Sequence, residues 1–174
     1  MQHSLVMTVI GPDRPGLVDA IASLVVGHGG NWLESRMSRL GGHFAGVLRV
    51  EAPVEQVASL SAALRGLQAQ GLTIVVHSDE PPAAPAPARL SRLEIVGHDR
   101  PGIVREISHA LANYGINVEE LHTECASAAM SGEMLFKATA KLSIPGSCDV
   151  AAVRRDLEKI AADLIVDISL GDVR

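Results

Sequence analysis

With 174 residues, 47% of them hydrophobic and 20% charged, the chain has material for one large or two small soluble domains. Its formal net charge of −5 is spread, −2 up to residue 88 and −3 beyond it, which leaves no basic half or tail for nucleic acid or anionic lipid. Cys125 and Cys148 are the only cysteines and lack a C-x-x-C spacing, arguing against a disulfide framework or zinc site; neither a signal peptide nor a membrane span is legible, so a cytoplasmic protein is expected.

Ser4–Ile10 reads as a strand. Residues 15–29 then carry Leu17, Val18, Ile21, Leu24, Val25 and His28 on one helical stripe, which Gly29-Gly30 ends. Trp32–Leu40 and Phe44–Val50 are β-like runs on either side of Gly41-Gly42, the signature of a hairpin. A second helix is predicted over Val54–Gln70, where Val57, Leu60, Leu64 and Leu67 recur at helical spacing and Gly71 stops it. Leu72–His77 closes the unit as a strand. The order β-α-β-β-α-β predicts an α+β, ferredoxin-like unit with an antiparallel sheet and both helices on one face.

Residues 80–90 read as a linker, since Pro81–Ala88 holds four of the nine prolines and such composition makes a semi-rigid spacer. They separate a first domain, 1–79, from a second, 91–174. The second repeats the first: strand Ser91–Val96, helix Pro101–Tyr114, strands Val118–Cys125 and Met134–Ser143, helix Val150–Asp163 and strand Leu164–Leu170. The repeat is plainest in Gly11-Pro12-Asp13-Arg14-Pro15-Gly16-Leu17-Val18, which returns as Gly97-His98-Asp99-Arg100-Pro101-Gly102-Ile103-Val104, an offset of 86. Asn31 matches Asn117 at that offset, but Phe44 matches Phe136 at 92, so about six residues are added at Ala126–Gly132. The lengthened hairpin is either a partner contact or merely a mobile tip.

The repeated motif sits where a strand passes into a helix. Asp13 and Asp99 suit a cap, Pro15 and Pro101 suit the first turn, and Gly16 and Gly102 leave it without a side chain. A bare helix N-terminus of this kind offers N–H groups and a positive dipole end to a carboxylate. The competing reading is a plain Pro-started helix that duplication copied.

Two such units, each with a Gly-x-Asp-Arg-Pro-Gly-[Leu/Ile]-Val turn and an Asn just after the first helix, resemble tandem ACT domains. Among these the chain is similar to the stand-alone double-ACT proteins of the glycine cleavage system transcriptional repressor family; the turn is shared with ACT domains of formyltetrahydrofolate deformylases and some phosphoserine phosphatases. The resemblance implies a regulatory module that binds a small amino acid, of the glycine or serine class, where two ACT domains pair. It implies ligand contacts at Asp13, Arg14, Pro15, Gly16, Leu17 and Asn31, and at Asp99, Arg100, Pro101, Gly102, Ile103 and Asn117. Self-association through ACT domains and a protein partner, a regulator or an enzyme, are implied with it. No cofactor or metal is.

The chemistry agrees. A zwitterion needs N–H donors for its carboxylate and an acceptor such as an Asn oxygen for its ammonium group. Arg14 and Arg100 suit bidentate holding of a carboxylate, or an ion pair with the neighbouring Asp. After the Asn the copies diverge, Trp32-Leu33-Glu34-Ser35-Arg36-Met37 against Val118-Glu119-Glu120-Leu121-His122-Thr123. The two sites are therefore expected to be unequal, one of them structural.

Three other function classes compete. A ligand-free protein-interaction scaffold needs only the fold. A metal-dependent enzyme would use His122 and Glu124, which alternation puts on one face of a strand. Direct nucleic-acid binding needs sheet aromatics and positive charge, and aromatic content is 2%.

Overall fold

The computed structural model describes residues 1–78, 87–127 and 132–172. The chain divides into two compact units, Met1–Pro82 and Ala83–Arg174. Most of the expected linker and the tip of the second long hairpin lie outside the described residues.

The first unit runs β1 (Gln2–Pro12), α1 (Leu17–Gly27), β2 (Asn31–Leu40), β3 (His43–Pro53), α2 (Val57–Gly66) and β4 (Thr73–Ser78). Its four strands lie in the order β2-β3-β1-β4, and each neighbouring pair is antiparallel. Alternation in β1 sends Leu5, Met7 and Val9 to the helix side, where they meet Leu48 and Val50 of β3 and the helix residues Leu17, Ile21, Val25, Leu60 and Leu64 in one buried cluster. Both helices thus cover the same side of the sheet. The second helical stretch is not continuous: 3₁₀ turns at Val54–Gln56 and Leu67–Gln70 flank the α-helical part. Gly41 and Gly42, with φ of 57° and 79°, make the two-residue turn that closes β2 on β3 at Leu40 and His43.

The second unit repeats this as β5 (Ala88–His98), α3 (Ile103–Asn113), β6 (Asn117–Ser127), β7 (Met134–Pro145), α4 (Val150–Leu164) and β8 (Val166–Asp172), in the order β6-β7-β5-β8. β5 begins three residues before Ser91, since Ala88, Arg89 and Leu90 pair with Pro145, Ile144 and Ser143. The added hairpin residues carry the β6–β7 ladder one pair further, to Ser127 and Met134. Asp149 caps α4, accepting the N–H groups of Ala151 and Ala152 at 3.0 and 3.1 Å. At the other end of α4 Ile165 takes the left-handed conformation, φ 55°, and is 69% exposed. The Tyr114 hydroxyl donates to Asp156 at 2.5 Å and so ties the end of α3 to α4; this bond raises the phenol pKa and lowers that of the carboxyl.

Candidate functional site

Each unit carries the motif between its first strand and first helix, and the turn is built differently from an Asp-capped helix. The N-cap is Gly16, φ 89° and ψ 0°, in the first unit and Gly102, φ 101° and ψ −12°, in the second, with no side-chain cap in either. The expectation that Asp13 and Asp99 cap the helices, with Pro15 and Pro101 in the first turn, is therefore corrected. The reason is geometric: the chain must reverse sharply so that Leu17 and Ile103 enter the core, at 4% and 2% exposure, and a positive φ at glycine makes that reversal without strain.

Helical bonding starts where Ala20 N–H donates to Gly16 O and Glu106 N–H to Gly102 O, both at 2.9 Å. The N–H groups of the intervening first turn have no partner within the helix, and the dipole adds positive potential there. A Cβ placed on Gly16 or Gly102 would meet no heavy atom within 4 Å, so the space beside each glycine is open. The turn itself is anchored, Asp13 N–H to Gly42 O at 2.9 Å and Asp99 N–H to Met134 O at 3.0 Å.

The arginines of the motif reach away from the helix start. Arg14 Nη2 donates to the Gln70 carbonyl at 2.6 Å and Arg100 Nη1 to the Asp163 carbonyl at 3.2 Å. Each puts its positive charge at the carbonyl end of its unit's second helical segment, where the dipole favours it. They fasten the turn to that segment, rather than pairing with the adjacent Asp.

The aspartates separate the two copies. Asp13 Oδ2 lies 2.7 Å from Arg39 Nε, so its charge is already answered. The residue matching Arg39 at the repeat offset is Cys125, whose thiol hydrogen-bonds Asp99; desolvation first, then the charge of Asp99 and that bond, raise the thiol pKa. A thiol held protonated is a poor nucleophile. Asp99 therefore faces a neutral group where Asp13 faces a guanidinium.

Asn31 and Asn117 open β2 and β6 and are exposed. Asn31 stands level with Glu51 and, across β3, with Ser4, whereas the helix start follows Pro12 at the far end of β1. The two parts of the expected site thus lie at opposite ends of α1, whose 11 residues span about 16 Å, and the second unit repeats this. Asn31 Nδ2 donates to Glu51 Oε1 at 3.4 Å, which aims Oδ1 away from Glu51; Asn117 faces Ser143 instead. A bulge follows in both copies, between Trp32 and Glu34 and between Val118 and Glu120.

Sequence reasoning passed over a groove between α3 and β6. It is small, about 40 Å³, and has an apolar lining that includes Val104, Ile107, Leu111, Val118 and Leu121. In the first unit Trp32 stands at the position of Val118 and Met37 at that of Thr123, and both pack on the core. His122 and Glu124 do lie on one face of β6, but charges of both signs surround them: His122 shares a surface depression with Arg92, Glu120 and Lys141, and Glu124 lies 3.9 Å from Lys137 Nζ. Among the described residues no group of three or more His, Cys, Asp or Glu side chains is placed to hold a metal ion, and no helix is long and apolar enough to cross a membrane.

Models of the ACT domain match residues 3–77 and 91–136. Over 176 aligned positions the chain is 25% identical to the glycine cleavage system transcriptional repressor of Escherichia coli K12, covering 99% of this chain and 91% of that one, and the Shigella flexneri protein of the same name matches equally. A solved structure of an unknown protein from Galdieria sulphuraria superposes with a TM-score of 0.89 at 29% identity, over the full length of both chains. With both units matched and their strand order that of the ferredoxin-like sheet, the chain belongs to the ACT-domain family, as a protein of two ACT domains in tandem.

Proposed function

We propose that this chain is a non-enzymatic, cytoplasmic regulator that binds a small amino acid of the glycine or serine class where ACT domains pair, and changes its grip on a protein partner when it does so. A transcription factor of amino-acid metabolism is the partner this reading favours, since the full-length relatives are named as transcriptional repressors. Direct DNA binding is not part of the proposal, because such binding draws on concentrated positive charge and neither half of this sequence is basic, at −2 and −3.

The observation that carries the reading is the pair of open, glycine-capped helix starts, each in a unit whose Asn lies one helix length away. Neither end holds a whole amino acid alone. When two ACT domains pair antiparallel, the N–H groups of one helix start take the carboxylate and the Asn-led strand of the other domain supplies an acceptor for the ammonium group. The first unit's start is the stronger of the two, because Arg39 offsets the Asp13 carboxylate beside it, whereas Asp99 faces a thiol and opposes a second carboxylate. Ligand bound across a pair stabilises that pairing by its differential affinity for it, and so can shift an assembly equilibrium.

The test is a thermal-shift screen of the purified chain against the twenty amino acids, with divalent metals as a separate arm. At a hundred times Kd the effector adds about 2.7 kcal/mol, a rise of roughly 5–10 °C in Tm. A rise with one or two small amino acids is expected. A rise with metal alone would return attention to His122 and Glu124, and no rise at all would leave a ligand-free scaffold.

A further inference from the structure

We propose that the helix-free face of the first unit's sheet is a self-association surface, on which a second copy of the chain seats the same face. This surface lies on the opposite side of the sheet from α1, and the inference does not rest on amino-acid sensing. Because Leu5, Met7 and Val9 point to the helices, Val6, Thr8 and Ile10 point the other way. The register sets Val47 and Val75 on either side of Thr8, and Ala45 beside Ile10. Ile10, Val47 and Val75 are 50%, 47% and 46% exposed, so the middle of the face is apolar and uncovered.

The second unit supplies an internal control. At the same register its sheet carries Arg92, Glu94 and Val96 for Val6, Thr8 and Ile10, Lys137 for Ala45, Thr139 for Val47 and Ser169 for Val75. Arg92 Nε and Glu94 Oε1 are 2.8 Å apart there. One backbone thus presents a solvated, ion-paired face in one copy and an apolar face in the other, and apolar side chains gathered at the centre of an open sheet mark a contact surface.

Size and charge favour a second copy as the occupant. Four strands at ~4.8 Å spacing and about nine residues at ~3.3 Å each give a face of roughly 550 Å² in projection. Two copies then cover about 1,100 Å², just above what a specific interface needs. On the strands β2 and β3 the face is bordered by Glu34, Arg36, Arg49 and Glu51, two charges of each sign, so a two-fold partner is not repelled. Since only one of the two units carries the apolar face, the contact is isologous and closes at a dimer instead of propagating.

The experiment is sedimentation equilibrium of the full chain over a wide concentration range. The wild type is expected to dimerise. Val47→Glu buries an unpaired carboxylate in the contact and weakens dimerisation at least about 100-fold, while Thr139→Glu, the matching position of the second unit, leaves it unchanged. A wild type that stays monomeric throughout, a dimer indifferent to Val47→Glu, or an equal loss with Thr139→Glu would each overturn the assignment. Should circular dichroism show Val47→Glu misfolded, Thr8→Cys decides: alkylation at position 8, followed by peptide mass, slows as concentration rises through the dimerisation range if the face is covered, and a rate independent of concentration rejects the proposal.

Discussion

The two helix starts share a backbone and differ in what answers their aspartates. Gly16 and Gly102 take the same left-handed cap, and Arg14 and Arg100 both reach a carbonyl at the end of their unit's second helical segment. Asp13 is paired with Arg39, whereas Asp99 faces the Cys125 thiol. Duplication copied the parts that fix the chain path and left free the side chain on the second strand of each unit that sets the local charge. A change at one residue, arginine against cysteine, is enough to offset the acidic side chain beside one helix start and not beside the other.

The largest effect expected from this contrast is on the caps. Gly16→Val forces a β-branched residue into a left-handed conformation, a strain of about 1–3 kcal/mol, and fills the space the carboxylate needs; calorimetry should show amino-acid binding lost. Gly102→Val carries the same strain and should lower Tm by a similar amount while most of the affinity survives. Equal losses of affinity would mean that the two starts are equivalent sites. Next in size, Asn31→Ala should weaken binding about tenfold, the worth of one charge-assisted hydrogen bond, because Glu51 holds that amide in a fixed orientation. Asn117→Ala, lacking such a brace, should stay within about twofold, and the opposite ranking in titrations would reverse the assignment.

Smaller still is Arg39→Ala. The ion pair is exposed, so its removal should change stability by less than about 1 kcal/mol in chemical denaturation. It should also leave Asp13 without its counter-charge and so weaken amino-acid binding in calorimetry; unchanged affinity would show that Arg39 does not set the difference. The last prediction concerns pH. The folded-state pKa of Asp156 is lowered by Tyr114, so the bond's contribution is present above the carboxyl's unfolded value, about 3.9, and is lost as pH falls through the folded one. Tyr114→Phe should therefore lower Tm at pH 7, by an amount that shrinks as pH falls below about 3.9. A gap that persists in acid would assign the effect to packing.

The fold could be read from the sequence because its signals are local and doubled. Apolar alternation in Leu5, Met7 and Val9, helical spacing in Leu60, Leu64 and Leu67, and the Gly41-Gly42 turn each act within a few residues. The helix starts misled because Asp-x-Pro-Gly is also the signature of a side-chain cap, and only the path of Leu17 and Ile103 into the core reveals that glycine takes the cap. Arg14 and Gln70 are 56 residues apart, and no spacing rule foretells such a bond. The match of Arg39 to Cys125 was open to alignment at the repeat offset, but its meaning depends on Asp13 and Asp99 lying across the strand end. The separation of Asn31 from Gly16 by the length of α1 is likewise a matter of path, invisible while both are only names in one motif.

Ile165 has a further consequence. A β-branched side chain at φ 55° costs about 1–2 kcal/mol against a residue at ease there, and an isoleucine 69% exposed recovers little of that by burial. At the join of α4 and β8 the protein thus sits below its own stability ceiling. An unused margin of this kind is where a lineage gains thermal tolerance without touching either helix start.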